Sequence, residues 1–477
     1  MKLNAVVRYL PLLACMLCVS TSSAQVIDRT DSLWSLLRSR AVPIEGSVPA
    51  IMEVRTPHAQ EWVRLHRVPK HPVIDSLLTP QKEQELLTEV NNRWRELGKD
   101  TLLSSDLVYC LRPYFDWLKY QDPHYRMGLN CPTTQRVSAA QKSEMRLPFN
   151  QLCVNDTVII NRSVDSLFRK GDQIVAINDV AIPEYLKYAD PDRYNTPNAL
   201  MHFYYFSNHV ERFKVKLVRA GKEMEIEVKG RPSTSVWLKL AKAESLDNNI
   251  RTYADAHCGY IAIPEFFPMN SRLIKIVHKA ILNFKKQGYT NVVLDLRLNP
   301  GGSGNAFDKL LSIFIHKPTV QYCRGQRLMV SKETLGDYDF LREEMIGQVV
   351  DIPAKYLIKE FATDPKMYVD GMKYYVLMSQ NTGSIAASFC NILQYNDAAQ
   401  LVGEPLLHNA LKYGEVIQGR MLLPTLLHEL AISTTEIDEY TKAVDGVLIP
   451  DIAIPYVAAD YLSGKDAMLE KLLAQLR

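Results

Sequence analysis

The stretch MKYYVLMSQNTGSIAASF, residues 372–389, runs from an apolar segment through a short polar turn into a run of small and apolar residues. A continuous apolar segment bounded by turn residues is typical of a buried strand, and the run after the turn has the character of a helix. Ser384 stands at the junction. The local sequence leaves two interpretations open: a helix N-cap, which serine favours, or a nucleophile that projects from a strand-to-helix turn.

The alternation of strand and helix continues on both sides of this stretch. GYIAIPEF (259–266), NVVLDLRL (291–298) and AQLVGE (399–404) predict strands, and SRLIKIVHKAILNFKKQG (271–288) predicts an amphipathic helix between the first two. Strand–helix–strand order predicts a parallel sheet covered by helices. We therefore expect an α/β core domain over residues 245–477.

The remainder of the chain changes character several times before this core. The first residues combine basic positions, a short apolar run and the small-residue segment STSSAQ, which predicts a signal peptide and an exported protein, periplasmic or secreted; a lipoprotein anchor is less favoured. The apolar run is too short to span a membrane. The segments that we expect are a signal peptide (1–24), an extension (25–75), a helical region (76–140) and a β-rich module (141–232).

Composition sets broad limits on function. The chain has 477 residues, of which 47% are hydrophobic and 23% charged, with a formal net charge of +3. No run of lysine and arginine with interleaved aromatic residues gives a reason to expect a nucleic-acid partner. Six cysteines lie beyond the signal peptide, without the spacing of a zinc site, and we interpret HRVPKH (66–71) as a loop.

A second turn of chemical interest is DLRLNPGG, residues 295–302, at the carboxyl end of a predicted strand. Adjacent glycines there allow backbone N–H groups to approach a ligand closely, and a helix beginning just beyond would favour negative charge. These features suit an oxyanion hole, although a plain tight turn is the simpler interpretation. The spacing of a dinucleotide site and the Gly-Lys-Ser/Thr of a P-loop are absent.

Taken in order, the motifs resemble those of the tail-specific, or carboxy-terminal processing, serine peptidases. The resemblance covers most of residues 80–456 and rests on QDPHYRM, LFRKGDQIVAINDVAI, VVLDLRLNPGG, NTGSIAASF, LVGEP followed by YGE, and DGVLIPDIAI. It implies a ClpP/crotonase-like sheet core covered by helices, an amino-terminal helical region and an inserted β-rich PDZ-like domain. It also implies a peptide or protein substrate and no metal or organic cofactor.

The resemblance implies roles for particular residues. Ser384 would be the nucleophile, and the backbone N–H of Ile385 with that of Gly301 or Gly302 would form the oxyanion hole. In the PDZ-like insert, the chain near Gly171 and Asp172 would help to bind the peptide.

The base is less well matched. One branch of the family uses a lysine about 25 residues after the serine, and here Asn409 occupies that position, with Lys412 three residues further on. The branch that resembles tricorn and the chlamydial relatives takes a histidine from the D-x-H turn, which corresponds to His124, and a neutral imidazole suits a base near pH 7. We favour His124, with Lys412 in reserve. The carboxylates in range to orient it are Glu436, Glu439 and Asp445.

Two functions follow, and a third is disfavoured. The first is a serine endopeptidase that forms an acyl-enzyme at Ser384. The second is an inactive relative that binds peptides or protein carboxyl termini without cutting them, as the missing lysine suggests. A small-molecule α/β hydrolase is disfavoured because the glycines of its elbow are replaced by Thr382 and Ala386.

Overall fold

A computed structural model gives the structure of the protein. It describes residues 42–43, 71–97, 101–102, 104–124, 126–130, 145–187, 212–232, single positions between 235 and 242, 246–332, 334–422 and 427–477. The predicted signal peptide, residues 1–24, lies outside the described residues. In the part of the chain that is described, no helix has both the length and the apolar character needed to cross a membrane.

The amino-terminal part is mainly helical and leads directly to the D-x-H turn. Its elements are β1 (Val42–Pro43), α1 (Ile74–Leu77), α2 (Pro80–Leu97), β2 (Thr101–Leu102), α3 (Ser104–Gln121) and β3 (Arg126–Asn130). Helices α2 and α3 pack against each other. The turn containing His124 therefore connects the end of α3 to the start of β3.

A β-rich module follows and is closed at its base by pairing of its first and last strands. Its elements are β4 (Met145–Arg146), β5 (Phe149–Val154), β6 (Thr157–Ser163), β7 (Gln173–Ile177), β8 (Val180–Ala181), α4 (Ile182–Lys187), β9 (Arg212–Arg219), β10 (Lys222–Lys229) and β11 (Arg231–Pro232). The sheet has the order β10-β9-β7-β6-β5, and β11 pairs with β4. Strands β9 and β10 form a hairpin that turns at Ala220 and Gly221, both with positive φ.

The core contains a parallel sheet with helices on both sides. Its elements are β12 (Ile250–Tyr253), β13 (Cys258–Ala262), α5 (Ser271–Lys286), β14 (Asn291–Asp295), α6 (Phe307–Leu311), β15 (Thr319–Gln321), β16 (Cys323–Met329), β17 (Val349–Asp351), β18 (Glu360–Ala362), β19 (Lys373–Met378), α7 (Ile385–Tyr395), β20 (Gln400–Gly403), β21 (Tyr413–Leu422), β22 (Leu427–Glu439), β23 (Ile452–Ala453), α8 (Ala458–Tyr461) and α9 (Ala467–Leu476). The sheet order is β12-β13-β14-β19-β20-β23. All neighbours in it are parallel except β12 and β13.

Burial on both faces explains the unbroken apolar strands. Along β14, Val292 and Leu294 join one hydrophobic cluster, which includes α5 and α7. Val293 points to the opposite face and packs in a cluster with α9 and with strands of the inserted module. Successive side chains of a strand alternate between faces, so a sheet that is covered twice requires apolar residues throughout.

A second sheet incorporates the amino-terminal region into the core. It has the order β17-β16-β22-β21, and β3 pairs with the distal part of β22. Because β3 begins two residues after His124, this pairing anchors one side of the histidine turn to the core. The sequence division placed residues 76–140 in a region of their own, and the strand pairing shows how closely that region is joined to the core.

Candidate active site

Ser384 lies at the point where the turn after β19 becomes helix α7, as the strand-to-helix interpretation predicts. Its backbone has φ 51° and ψ −131°, and although it occupies the N-cap position its side chain caps no N–H group. Within the described part of the chain its hydroxyl has no hydrogen-bond partner. The N-cap interpretation of Ser384 is therefore wrong, and the hydroxyl is left available for other contacts.

Side-chain hydrogen bonds tie the serine turn to the neighbouring glycine turn. Thr382 donates its hydroxyl to the carbonyl oxygen of Leu296 at 2.8 Å, and Ser379 donates to that of Arg297 at 2.7 Å. The N–H of Gly383 also donates to the carbonyl oxygen of Asn299 at 3.0 Å. Since β14 and β19 are adjacent parallel strands, these bonds fix the two turns side by side at the carboxyl edge of the sheet.

The glycine pair makes the closest approach to the serine. A Cβ added to Gly301, whose φ is +105°, would lie 2.5 Å from the Cβ of Ser384. One added to Gly302, whose φ is +142°, would lie 2.5 Å from the carbonyl of Phe266. Glycine is therefore required at both positions for backbone conformation and for space.

The hydrogen bonds of this turn distinguish the two glycines. The N–H of Gly301 donates to the side-chain oxygen of Asn299 at 2.9 Å and is already used. Among the described residues, no acceptor is found for the N–H of Gly302 or for that of Ile385 at the start of α7. A helix does follow the glycine-rich turn, but α6 begins at Phe307 and spans five residues, so its start is not directly at the glycines. Any oxyanion hole here would consist of two free backbone N–H groups without that helix.

His124 is brought to the same site from the opposite end of the sequence. Its side chain is 9% exposed, and its Nδ1 lies 3.2 Å from Oδ1 of Asp122. The backbone N–H of His124 donates to the same oxygen at 2.9 Å. Its Nε2 is buried and has no hydrogen-bond partner in the described structure. An imidazole held in this way has one nitrogen, Nε2, that makes no hydrogen bond in the described structure.

Ser384 and His124 line one cavity of about 550 Å³. Polar and charged side chains, among them Arg297, Asp295 and Lys170, share its wall with apolar ones such as Leu298. The hydroxyl and the imidazole are not hydrogen-bonded to each other, and neither the hydroxyl nor Nε2 has another partner among the described residues. The predicted serine and histidine thus line one cavity although 260 residues separate them.

Comparison with known proteins agrees with this geometry. Residues 257–425 match the family model of peptidase family S41, and this range contains the glycine turn, Ser384 and strands β13 to β20. This part of the chain, residues 257–425, belongs to peptidase family S41. No curated protein sequence matches it.

Solved structures share the fold at low sequence identity. Mature CPAF is 16% identical, with a TM-score of 0.54, over 87% of this chain and 97% of that one. Mature CPAF complexed with lactacystin is 16% identical, with a TM-score of 0.56, over 87% and 98%. The photosystem II D1 C-terminal processing protease covers 86% and 97% at 15% identity, but its TM-score of 0.38 is too low to support an argument. The CPAF likeness extends the shared fold beyond the S41 range to the β-rich insert.

The structure does not bring Lys412 to the serine. Its Nζ lies 3.5 Å from the carboxylate of Glu436, and its side chain is 42% exposed. It lines a different cavity from the one that contains Ser384. The reserve base is therefore corrected: in this S41 chain Lys412 is a surface residue in an ion pair.

Asn409, which occupies the family's lysine position, supports the histidine turn instead. Its side-chain amide donates to the carbonyl oxygen of Gln121 at 2.9 Å, and its φ is +59°. The neighbouring His408 contacts the carbonyl oxygen of Tyr120 at 3.1 Å and stacks on that ring at 4.5 Å. These contacts hold the last residues of α3, directly before Asp122.

None of the three late carboxylates contacts His124. Glu436 is paired with Arg327 and Lys412. Glu439 is buried and accepts hydrogen bonds from Ser388 and Asn391, and burial raises its pKa to about 7. Asp445 has a φ of +49° in an exposed turn. The carboxylate beside His124 is Asp122, the acidic residue of the same D-x-H turn.

Asp122 is completely buried and remains ionised. Burial by itself would raise its pKa, but hydrogen bonds from His124 and His71 hold the pKa far below its ordinary value. The Nε2 of His71 lies 3.3 Å from Oδ2 of Asp122. Sequence reasoning assigned His71 to a loop and missed this contact, because no local pattern connects residue 71 with residue 122.

The predicted substrate-binding residues in the insert, Gly171 and Asp172, make contacts within the protein itself. Asp172 is 2% exposed and forms a two-pronged ion pair with Arg219, at 2.8 and 2.6 Å. Gly171 packs against the backbone of Gly464, where an added Cβ would lie 2.5 Å from the N atom. Both residues are therefore corrected: Asp172 stabilises the module, and Gly171 joins it to the carboxyl-terminal segment.

Other side chains with chemical potential lie away from the serine hydroxyl in structural roles. Cys390 is a buried core thiol of α7. Asp295 and Arg297 form an ion pair, which Asp466 completes. The cysteines described, Cys153, Cys258, Cys323 and Cys390, are free thiols. No cluster of metal-binding side chains occurs among the residues that could be searched.

Proposed function

We propose that this S41 protein is a serine endopeptidase in which Ser384 attacks the substrate and His124 is the base. The observation that carries the proposal is that Ser384 and His124 line one cavity, and that Nε2 of His124 has no hydrogen-bond partner in the described structure. The substrate is a peptide bond of a protein chain, and the apolar amino-terminal stretch supports an exported location.

The hydrogen bonds at Asp122 support this assignment of the base. The ionised carboxylate of Asp122 accepts a hydrogen bond from Nδ1–H of His124. Since the neutral ring carries one proton, Nε2 has none. In the proposed reaction, Nε2 takes the proton of Ser384 as its oxygen forms a bond to the substrate carbonyl carbon. The imidazolium then gives that proton to the departing amine, leaving an ester on Ser384.

The free N–H groups of Gly302 and Ile385 would donate hydrogen bonds to the negatively charged oxygen of the tetrahedral intermediate. Loss of one such donor typically lowers the rate by about 10²–10³-fold. Water then attacks the ester, with His124 accepting its proton, and the acid product leaves. Because catalytic hydrogen bonds tighten on substrate binding, the absence of a bond between Ser384 and His124 does not oppose this scheme.

A second function remains as an alternative, favoured by Asn409 in the lysine position. In it, the cavity binds peptides and no bond is broken. The two functions differ in their response to substitution of the serine: cutting requires the hydroxyl of Ser384, whereas binding does not.

The test is cleavage of an unstructured protein such as reduced casein by the wild type, Ser384→Ala and His124→Ala. We expect no cleavage by Ser384→Ala and a loss of about 10²–10⁴-fold for His124→Ala. Lys412→Ala, which changes a surface ion pair, should cleave like the wild type. Equal rates for the wild type and Ser384→Ala would overturn the proposal, and peptide binding without cleavage would establish the alternative.

A further inference from the structure

His71 connects the amino-terminal segment to the carboxylate beside the proposed base. It is 3% exposed, and its two ring nitrogens face different partners. Nδ1 accepts the backbone N–H groups of Val73 and Ile74 at 3.1 and 3.2 Å, at the start of α1. Nε2 lies 3.3 Å from Oδ2 of Asp122. The imidazole therefore bridges a helix start and a buried carboxylate.

These contacts determine where the proton of His71 resides. A nitrogen that accepts two N–H groups has no proton of its own, so the proton of the neutral ring is on Nε2. That nitrogen lies against Oδ2 of Asp122 in a polar contact whose alignment is not that of a regular hydrogen bond. A second proton, at Nδ1, would displace both backbone donors, and this holds the ring in one neutral tautomer.

The two oxygens of Asp122 consequently face different partners. Oδ2 is in polar contact with Nε2 of His71, whereas Oδ1 accepts hydrogen bonds from the backbone N–H and the Nδ1 of His124. A carboxylate that is hydrogen-bonded at Oδ1 and contacted at Oδ2 cannot rotate without losing one of these interactions. Its orientation sets the plane of the His124 ring and the direction of Nε2.

Further groups lie around this pair. The edge of the Tyr413 ring meets His71, with ring centroids 4.7 Å apart. Glu415 is within electrostatic range of His124, and Lys119 at the end of α3 lines the same cavity. Of these neighbours, only Asp122 is hydrogen-bonded to His124.

We propose that His71 is a positioning residue for the proposed reaction: its Nε2–H clamps Asp122, which in turn aims His124 at Ser384. This inference rests on the proposed function. The simpler explanation is that His71 only caps α1 and stabilises the fold.

The chemistry of the side chain allows the two roles to be separated. In His71→Asn, the side-chain oxygen is attached at the position of Nδ1 and can still accept the N–H groups of α1, but nothing reaches Asp122. In His71→Gln, the amide nitrogen corresponds to Nε2 and can still donate to Asp122, whereas the acceptor for α1 is lost. Thr79→Ala is the matched control for a lost cap, because Thr79 accepts the N–H of Lys82 at 3.2 Å, at the start of α2 and away from Asp122.

The experiment measures the rate at which a fluorophosphonate acylates Ser384 between pH 5 and 9 in the full-length variants. We expect His71→Asn to lower the plateau rate of acylation by about tenfold, which corresponds to the loss of the polar contact between His71 and Asp122. The acid limb of its profile of acylation rate against pH should move to higher pH. Without the contact from His71, the carboxylate of Asp122 attracts the proton on His124 more strongly. His71→Gln should recover most of the rate and the wild-type limb, and Thr79→Ala should match the wild type.

The outcomes separate this inference from the proposed function. If the wild type is not acylated at Ser384, the proposed function fails. If the wild type is acylated and His71→Asn has the same plateau and limb, the clamp is refuted. Slowing of His71→Asn and His71→Gln to the same extent, with the limb unmoved, would also refute it, because a merely structural role predicts that result.

Discussion

Ser384 has a backbone conformation that residues other than glycine seldom adopt, with φ 51° and ψ −131°. Such conformations cost about 1–3 kcal/mol and persist only where the surroundings impose them. Here the surroundings are the bonds from Thr382 and Ser379 to the neighbouring turn, together with the close packing of Gly301. The strain directs the hydroxyl away from the helix start that it would otherwise cap.

Gly301→Ala should therefore damage the site directly. The new Cβ would lie 2.5 Å from the Cβ of Ser384, at a φ of +105° that alanine disfavours. We expect a fall of about 2–4 kcal/mol in the free energy of unfolding and a large loss of cleavage. Gly304→Ala is the control, since nothing lies within 4 Å of its added Cβ. Equal unfolding energies for the two variants in urea would contradict the packing described for Gly301.

Glu439 should make stability depend on pH. Its ordinary pKa of 4.5 rises to about 7 on burial, so the folded protein keeps a proton that the unfolded chain releases. The contribution of Glu439 to stability is thus greatest below pH 4.5 and falls by about 3 kcal/mol as the pH rises to 7. Glu439→Gln should remove this part of the pH dependence of unfolding. Asp438→Asn, which changes an exposed neighbour, should retain it; a Gln variant with the wild-type slope would refute the assignment.

The residues of the site differ in how far sequence could predict them. Ser384 and the glycine pair were predictable because each stands in a local strand-to-turn pattern. Asp122 lies two residues from His124, but the sequence cannot show which carboxylate meets the ring. His71 was beyond prediction, since its contact depends on the tertiary placement of the segment before α1.

At the scale of elements, Arg297 joins the end of β14 to the start of α9. Its guanidinium is bonded to Asp295, with Nε to Oδ1 at 2.9 Å, and to Asp466, with Nη1 to Oδ1 at 2.8 Å. Asp466 also accepts the N–H of Leu469 in the first turn of α9. One buried cation thus orders the floor of the cavity.

Arg297→Ala should leave two carboxylates without their cation, at a cost of about 3–5 kcal/mol in the free energy of unfolding. The control is Lys442→Ala, which removes an ion pair of 2.6 Å with Asp397 whose side chains are 46% and 84% exposed. Exposed pairs contribute about 0–1 kcal/mol. Urea titrations of both variants check this, and similar losses would argue against a special role for Arg297.

Elements with a clear period were predicted well, and so was the helix after the glycine-rich turn, although its first residue was not. Strands β13, β14, β19 and β20 and helices α5 and α7 lie where the apolar patterns place them. The segment after Gly302 has the same small and apolar residues as a helix start. It remains extended because Gly302 pairs with Phe266, and the bonds of that pairing compete with the first helical turn.

At the scale of the whole molecule, the β-rich insert is joined to the carboxyl-terminal segment beside the cavity. The turn at Gly171 lies against Gly464, and the insert's Leu152 and Ile159 pack in one cluster with Leu472 of α9. The sequence predicted an insert, but it assigned the turn at Gly171 to peptide binding and not to this junction. Which surface of a module faces the core depends on shape complementarity between distant segments, and no periodicity encodes it.

Gly171→Ala should loosen this junction. The added Cβ would meet the backbone of Gly464 at a φ of +92°. Gly221→Ala has a similar φ of +78° but nothing within 4 Å, so it isolates the conformational cost, about 1 kcal/mol. We expect the free energy of unfolding of Gly171→Ala to be about 1–3 kcal/mol lower than that of Gly221→Ala. We also expect a protease to cut Gly171→Ala sooner, near the strands that join the insert to the rest of the chain. Indistinguishable variants would contradict the contact.

The central claim is that the whole fold brings one reactive serine and one free imidazole into a single cavity. Its most direct measurement is the mass of the folded protein after exposure to a fluorophosphonate at neutral pH, followed by peptide mapping. The account predicts one adduct per chain, on Ser384, with little or none in His124→Ala or in the urea-unfolded protein. Absence of labelling in the folded wild type, or equal labelling of His124→Ala, would contradict it.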